Sequence, residues 1–408
     1  MTTVKDSVHD HIEVDGVASD LLDTPPVQRL RRVKQLGTAT LVYPSANHTR
    51  FEHSLGVYYL ADRALDCLGV EGQQAERVRA AAMLHDVGHA PFSHNVEGLV
   101  HRLTGRYHDD VHDVLGEGAV ARVLSDHGLN PDRVADLVAG EGGRFGQLVS
   151  GELDVDRMDY LVRDAHHTGV PYGTIDHQRL IRELRFVDGQ LVLDEGNVQT
   201  AESLLLARAL MNPTVYSHHV SRIAKTMLRR ATEWLLETTA VDAAELRRMD
   251  DHALIAALRD VEGTEGLVRR LDERSLYKRA VWAELGAVPE DLLESDHARI
   301  RDLEREIAAA AGVDPVSVLL EVPALPAMTE STSRVLVNGE VRHLARQSTL
   351  VGALRSAQQD QWRLGVYAPP ADRERVGTAA VRTLGLDLEG AKVRDVRAGI
   401  NTTLEDFE

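Results

Sequence analysis

The chain has one cysteine, few lysines and no long apolar run, and each shortage excludes a class of protein. The single cysteine, Cys67, leaves no disulfide framework and no zinc site built on cysteines. No run approaches the ~18 apolar residues of a membrane-spanning helix. No apolar N-terminal segment suggests a signal peptide. We therefore predict a cytoplasmic protein with no membrane association.

The charge balance is strongly acidic. The 408 residues include 64 acidic and 46 basic side chains, a formal net charge of −18, and five of the basic residues are lysine. This composition suits a protein that stays soluble in high salt, which is the basis for the hypothesis of a halophilic host; an ordinary acidic cytosolic protein would also show it. Because broad nucleic-acid binding needs a basic surface, we predict no specific nucleic-acid partner. A locally basic pocket is still compatible with the negative net charge of the whole chain.

Helical periodicity of the apolar residues dominates the chain. The length is sufficient for two or three domains. We predict a helical catalytic core over residues 1–240, a helical extension over 241–312 and a small α+β region over 313–408. Within the core, helices are predicted over residues 50–69, 72–87, 109–127, 131–139, 154–166, 176–184, 198–211 and 214–238.

A β-hairpin is predicted inside the helical core. Two short apolar runs, 185–187 and 191–193, flank Asp188-Gly189, a dipeptide typical of tight hairpin turns. Further β-rich segments follow Pro315; they cover residues 316–322, 335–341 and 364–367. The predicted fold class is therefore mainly α, with a small β-hairpin in the core and a smaller α+β C-terminal region.

One of the His-Asp pairs in the chain has an unusual context. The dipeptide occurs at residues 9–10, 85–86, 108–109 and 112–113. Only His85-Asp86 follows an apolar helical run, residues 80–84, and we expect Gly88 to stop that helix and Pro91 to prevent its continuation. A buried imidazole and carboxylate at a helix end need a partner, and a divalent metal ion is the natural one.

Further histidines and carboxylates complete a candidate metal site. Each lies at the start or end of a predicted helix in an apolar context; the four proposed ligands are His53, His85, Asp86 and Asp156. Asp154 is an alternative to Asp156, since either could face inward. Two imidazoles and two carboxylates leave coordination positions for water and substrate. The set is compatible with manganese, iron, cobalt, nickel, zinc or magnesium.

Four segments share their residue pattern with a known family. They are Asp23–Gly37, Arg50–Val57, His85–His94 and Asp154–His167. The chain resembles the HD-domain phosphohydrolases over roughly residues 5–235. Within them it is most similar to the dNTP triphosphohydrolases, a group that includes the human SAM-and-HD-domain enzyme. The resemblance implies the four metal ligands named above.

The resemblance also implies roles for the residues around the metal. Contacts to substrate phosphates are implied for Arg50, His94 and Arg157. A catalytic acid–base group is implied for His89, Glu97 and His108. Glu97 stands where the human relative has an aspartate, and Arg157 stands where it has a lysine. His112-Asp113 is an alternative to His108 for the last position.

A deoxynucleotide pocket follows from the same resemblance. The residues that it implies are Gln35 and Leu36 beside the deoxyribose, Tyr160 and Asp164 at phosphate and the 3′-hydroxyl, Arg208 at phosphate, Tyr216 where a 2′-hydroxyl would sit, and His218 close after it. Arg157, Tyr160 and Asp164 also fall on one helical stripe. The alternative interpretation of Tyr160 and Tyr216 is ordinary half-buried aromatic packing.

The implied reaction is water attack at the α-phosphorus of a deoxynucleoside triphosphate, releasing deoxynucleoside and triphosphate. Alternatives are an HD-type nucleotidase or phosphodiesterase acting on another nucleotide, and a non-enzymatic scaffold with a vestigial site. All four ligand positions are present, which argues against the scaffold. The chain has no glycine-rich P-loop, which argues against an ATPase-type phosphate grip.

A regulatory nucleotide site is the last expectation from the resemblance. Asp23, Gln28 and Arg31 match positions that read a guanine nucleotide between subunits, so a homo-oligomer, dimer or tetramer, is expected. The alternative is structural, because Asp23-Thr24-Pro25 is a helix N-terminus on its own account. Lys5 also stands where the family pattern has an asparagine.

Overall fold

The structure is a computed structural model that describes residues 2–326, 333–388 and 391–393. It divides into two compact units. The first contains residues 2–274 and 333–354, and the second contains the remaining described residues. The division at residues 240 and 312 stays a prediction.

The described helices, in chain order, are α1 Gly16–Leu22, α2 Pro25–Arg29, α3 Arg50–Leu68, α4 Gly72–Leu84, α5 His94–Thr104, α6 His112–Leu115, α7 Gly118–Asp126, α8 Pro131–Val138, α9 Arg144–Val149, α10 Val155–Thr168, α11 His177–Arg182, α12 Val198–Met211, α13 His219–Thr238, α14 Ala243–Arg248, α15 Asp251–Asp260, α16 Glu265–Asp272, α17 Glu290–Leu293, α18 His297–Ala311, α19 Leu344–Gln347, α20 Thr349–Gln361 and α21 Arg373–Thr383. The described strands are β1 Thr2–Asp6, β2 Asp10–Val14, β3 Leu184–Val187, β4 Gln190–Leu193, β5 Lys278–Glu284, β6 Leu319–Glu321, β7 Arg334–Val337, β8 Glu340–His343 and β9 Arg363–Ala368. None of these helices is long and apolar enough to cross a membrane. The predicted mainly α fold class is confirmed.

The predicted hairpin is present as β3 and β4, which pair antiparallel from Leu184↔Leu193 to Val187↔Gln190. Both turn residues, Asp188 and Gly189, have positive φ, 49° and 75°. This is the geometry whose twist matches the flanking strands, and it favours the Asp-Gly sequence. The hairpin is extended by β7 and β8 into a four-stranded sheet of order β3-β4-β7-β8.

Several elements differ from the predicted pattern, among them α5, which lies where no helix was predicted. The helix predicted over 109–127 is broken into α6 and α7, which are separated by Gly116 and Glu117; Gly118, the first residue of α7, takes a positive φ of 69°. A strand, β5, lies inside the region predicted to be helical; its residues Ala280–Ala283 are all buried, so they show no alternation to reveal it. The N-terminal hairpin of β1 and β2 was not predicted at all.

The core of the first unit is built around α3, which packs against α4 and α10. A capping box fixes where α3 begins: the backbone N–H and hydroxyl of Thr49 both donate to Glu52 Oε2, at 2.6 and 2.8 Å. Gly56 sits at the crossing with α10, where a Cβ would lie 1.9 Å from the Asp159 carboxylate. The cap and the glycine together place the first turn of α3 against α10.

The second unit has its own sheet and core. Strands β5, β9 and β6 form an antiparallel sheet in that order. Helices α18 and α21 pack together, and both contact this sheet. Buried residues such as Val281, Ile307, Leu364 and Val376 form the core between these elements.

Candidate metal centre

Three helix ends bring together the four proposed metal ligands. His53 lies in the first turn of α3, His85-Asp86 directly follows α4, and Asp156 lies in the first turn of α10. His53 Nε2 is 3.2 Å from His85 Nε2 and 2.9 Å from Asp156 Oδ1. Asp86 Oδ1 is 3.4 Å from His85 Nε2, and Asp86 Oδ2 is 3.8 Å from His53 Nε2. The donor atoms therefore surround one small volume.

In both imidazoles the Nδ1 nitrogen, which points away from the proposed metal position, is hydrogen-bonded. His53 Nδ1 donates to Asp159 Oδ2 at 2.8 Å, and His85 Nδ1 donates to the Ala82 carbonyl at 2.8 Å. This arrangement is typical of metal-bound histidine, because the outer hydrogen bond fixes the tautomer and aims Nε2 at the ion. The donor atoms of His53, His85 and Asp86 therefore lie close enough together to hold a divalent cation.

Electrostatics at the site also favour a cation. Burial lowers the pKa of His53, but its hydrogen bonds to Asp156 and Asp159 outweigh that effect and raise the pKa to about 10. Burial raises the pKa of Asp86, but Arg50 and His85 hold it well below its usual range. The carboxylate is therefore ionised, and a metal ion would displace the proton that His53 otherwise retains.

The structure separates Asp156 from its competitor Asp154. Asp154 is the N-cap of α10: its Oδ1 accepts from the Arg157 backbone N–H at 2.7 Å, and its Oδ2 accepts from that of Gly151 at 2.8 Å. Burial raises the pKa of Asp154 to about 7. Asp154 is thus engaged in capping, whereas Asp156 lies at the imidazoles.

Gly88 has a different role from the predicted helix stop. The helix already ends at Leu84, and His85 keeps right-handed helical angles as its C-cap. A Cβ on Gly88 would lie 2.1 Å from the His108 carbonyl oxygen. The glycine is required for this close approach, which brings the segment carrying His108 onto the metal-binding turn.

A second cluster adjoins the first and contains His89, His94, Glu97 and His108. Glu97 accepts hydrogen bonds from Nδ1 of His108 and, at 2.7 Å, from Nδ1 of His94. The rings of His89 and His108 are stacked, 4.1 Å between centroids. His89 Nε2 is 3.3 Å from Asp86 Oδ1, so this cluster is continuous with the metal ligands.

The pKa values within this cluster diverge. Burial lowers the pKa of His108, but its bond to Glu97 outweighs that and the net shift is upward. Burial and the nearby Arg50 guanidinium move the pKa of His89 well below its ordinary value. The surroundings therefore favour the protonated form of His108 and the neutral form of His89. The alternative His112 is about half exposed and lies near Asp132 and Asp136 instead.

The two arginines expected at phosphate lie close to the ligands. Arg50 is buried, and its Nη1 donates to both oxygens of Asp86 at 2.7 and 2.8 Å. Its Nε donates to Ser93 Oγ at 2.7 Å. Arg157 donates to the Gly151 carbonyl next to the N-cap of α10. Arg50 thus orients Asp86, one of the proposed metal ligands.

Two residues of the expected sugar pocket, Tyr216 and Asp164, are joined by a hydrogen bond. Tyr216 Oη donates to Asp164 Oδ2 at 2.9 Å, and His48 Nε2 lies 2.9 Å from Asp164 Oδ1. Tyr160 packs edge-on against Tyr216, with ring centroids 6.1 Å apart. Gln35 is buried, and its Oε1 has no hydrogen-bond partner among the described residues. A buried amide oxygen without a hydrogen-bond donor is consistent with a binding site in which the ligand supplies that donor.

The remaining predicted pocket residues are less tightly grouped. Leu36 is half-buried against the core. The Arg208 charge lowers the pKa of both Tyr160 and Tyr216, although burial, the larger effect, raises it. His218 is the N-cap of α13, where its Nδ1 accepts from the Val220 backbone N–H at 3.2 Å. His218 therefore has a structural contact of its own.

The candidate regulatory residues form a small surface group. Arg31 Nε donates to Gln28 Oε1 at 2.9 Å, and the Arg31 guanidinium lies 3.5 Å from the centroid of the Phe51 ring. Gln28 Nε2 donates to the Leu22 carbonyl at 2.8 Å. Asp23 is exposed at the C-cap of α1.

Sequence reasoning missed several residues that support the site. His48 holds Asp164, and Asp159 holds His53. Asp156, Asp159 and Arg163 follow the i, i+3, i+7 spacing of one helical face, which was the available signal for Asp159. His9, which also contacts Asp159, comes from a hairpin about 150 residues away, and no sequence spacing predicts that contact.

Comparison with known proteins agrees with this site. A family model described as the HD domain matches residues 50–164, and one described as an HD associated region matches residues 175–395. An uncharacterized protein of Methanocaldococcus jannaschii is 34% identical over 383 residues, 90% of this chain and 79% of that protein. The chain belongs to the HD-domain family. It is a metal-dependent phosphohydrolase, as the resemblance implied.

Two relatives with a named activity are matched over very different shares of their own length. The deoxynucleoside triphosphate triphosphohydrolase SAMHD1 of Homo sapiens is 32% identical over 276 residues, which are 57% of this chain and 44% of that enzyme. The crystal structure of a phosphohydrolase from Bacteroides thetaiotaomicron matches with a TM-score of 0.72 and 26% identity, covering 90% of this chain and all of that one. The chain thus spans less than half the length of the human enzyme.

Proposed function

We propose that the protein hydrolyses deoxynucleoside triphosphates by water attack at the α-phosphorus, releasing deoxynucleoside and triphosphate. The observation that carries the proposal is the Tyr216–Asp164–His48 group, because its central residue Asp164 lies on the same helix, α10, as the proposed metal ligand Asp156. Asp156 and Asp164 are eight residues apart, which is about 12 Å along a helix. A nucleotide lying along α10 can therefore place its phosphates at the metal and its sugar at Tyr216.

Each group has a defined task in this proposal. When bound by His53, His85, Asp86 and Asp156, a divalent ion supplies charge neutralisation at phosphorus and an acidified water. His108, protonated and held by Glu97, donates a proton to the departing oxygen. Arg157 and Arg208 provide charge-assisted hydrogen bonds to phosphate oxygens. The proposal includes manganese among the candidate metals, a homo-oligomeric assembly and tolerance of high salt.

The substrate prediction is that dNTPs, including dGTP, yield triphosphate while rNTPs react poorly. The Tyr216 ring is proposed to lie where a 2′-hydroxyl would clash, and steric rejection of this kind is worth about 1–3 kcal/mol, or about 10–200-fold. Metal-reconstituted protein should be assayed with each dNTP and rNTP, with products identified by chromatography. Tyr216→Ala should reduce the discrimination, and the exposed Tyr172→Ala is the matched control.

Two results would oppose this assignment. Equal rates on GTP and dGTP would remove Tyr216 as the element that excludes ribose. Orthophosphate or pyrophosphate as the first product would place the attack on another phosphorus, and the nucleotidase or phosphodiesterase alternative would then be preferred.

The regulatory prediction concerns Asp23, Gln28 and Arg31. If they read a guanine nucleotide between subunits, GTP or dGTP should raise both dATP hydrolysis and the mass measured by light scattering, because the two sites are linked. Arg31→Ala should remove both responses without lowering the metal content. Hydrolysis of dATP that is unchanged in rate and mass by either nucleotide would leave these three residues as structural ones.

A further inference from the structure

The N-terminal hairpin buries one histidine in an otherwise exposed turn region. Strands β1 and β2 are largely exposed, yet the His9 side chain between them is 2% exposed. His9 Nε2 lies 2.6 Å from Asp159 Oδ1. Its ring also contacts Tyr59, with centroids 4.9 Å apart. The hairpin therefore places the imidazole of His9 in the interior of the protein.

The partner of His9 is the carboxylate that orients a metal ligand. Asp159 Oδ2 accepts from His53 Nδ1 at 2.8 Å and from Arg163 Nε at 2.8 Å. Asp159 Oδ1 accepts from Arg163 Nη2 at 3.0 Å in addition to His9. Asp159 is completely buried, so the direction of each oxygen is set by these three side chains. His9 and His53 thus hold opposite oxygens of one carboxylate.

The turn that carries His9 is hydrogen-bonded, through Asp6, to the Arg163 side chain that also contacts Asp159. Asp6 Oδ1 accepts from the backbone N–H groups of Val8 and His9 at 2.9 and 2.8 Å. Asp6 Oδ2 accepts from Arg163 Nη1 at 2.8 Å. Arg163 therefore bridges the hairpin carboxylate and the carboxylate of α10. The position of the His9 backbone is consequently tied to the helix that carries Asp156.

We propose that His9 is a positioning residue of the metal centre: it holds Asp159 so that Asp159 keeps His53 Nε2 aimed at the ion. This inference rests on the proposed ligand role of His53. A buried carboxylate oxygen that loses one of its donors is less well satisfied, and the carboxylate is then held less firmly. Outer partners of metal-bound histidines typically change metal affinity by about 10- to 100-fold when they are replaced. The N-terminal hairpin is then part of the metal centre.

The test compares three variants of the full chain, His9→Ala, His9→Gln and the control His11→Ala. His11 lies on the same hairpin and is exposed. Cobalt(II) affinity is measured by competition with a chelator, and the visible spectrum of the bound cobalt reports the ligand geometry. Circular dichroism of the metal-free proteins reports folding separately. His53→Ala tests the ligand assignment independently.

We expect His9→Ala to bind cobalt about 10- to 100-fold more weakly, with an altered spectrum. His9→Gln should restore affinity, since its amide N–H can donate to Asp159, and His11→Ala should match the wild type. Wild-type affinity and spectrum in folded His9→Ala would overturn the inference. If His9→Ala does not fold, Asp159→Asn takes its place, and a wild-type spectrum there would overturn it equally. An unchanged spectrum in His53→Ala would remove the ligand assignment and with it this inference.

Discussion

Replacing His85 or Asp86 with alanine should reduce phosphohydrolase activity to background and release the bound metal. Each change removes a donor atom whose neighbours lie within 3.2 to 3.8 Å of it. Asp86→Ala should also destabilise the folded protein, because Arg50 would remain buried without its carboxylate partner. An uncompensated buried charge costs about 3–5 kcal/mol of stability. Metal content by elemental analysis and turnover on dNTPs are the measurements.

Variants of the two aspartates at the start of α10 make this prediction specific. Asp156→Ala should behave like Asp86→Ala in losing metal and turnover. Asp154→Ala should keep the metal and lose about 1 kcal/mol of stability, because it removes an N-cap. The opposite pattern, with metal and activity lost only in Asp154→Ala, would show that the fourth ligand is wrongly assigned.

The second large effect is expected from the acid–base cluster. His108→Ala and His89→Ala should lower turnover about 10²–10⁴-fold, the usual contribution of a positioned proton donor or acceptor. Metal content should stay unchanged, because neither side chain belongs to the proposed ligand set. His112→Ala is the matched control, since His112 lies in the same part of the chain and is about half exposed. A larger loss of turnover in His112→Ala than in His108→Ala would assign the acid–base role to His112 instead of His108.

The pH dependence follows from the raised pKa of His108. The proposed proton donor must be protonated, so activity should be retained below the raised pKa and lost as the pH rises through it. Glu97→Gln keeps the shape of the side chain but removes the charge that raises the pKa of His108. The alkaline limb of the kcat profile should therefore move to lower pH in this variant. A limb that does not move would separate His108 from the proton transfer.

Features that depend on local chemistry could be predicted from the sequence. The Asp188-Gly189 turn was correctly predicted, because a type of turn with two positive φ angles strongly selects that dipeptide. The start of α3 was also predictable, since the motif around Thr49 and Glu52 forms its cap without help from the rest of the chain. The break between α6 and α7 was missed, although Gly116 and Gly118 stand on either side of Glu117 at this point of the chain.

The sequence by itself determined which side chains are available for a metal-dependent phosphohydrolase and where along their helices they lie. Only the tertiary structure decided which of them meet. Asp154 and Asp156 are equivalent in sequence, but Asp154 accepts the backbone N–H of Arg157 at the start of α10, whereas Asp156 lies at the imidazoles. His9 reaches Asp159 only because the chain folds its first hairpin against α10. Such contacts depend on distances between segments far apart in sequence, which residue spacing does not encode.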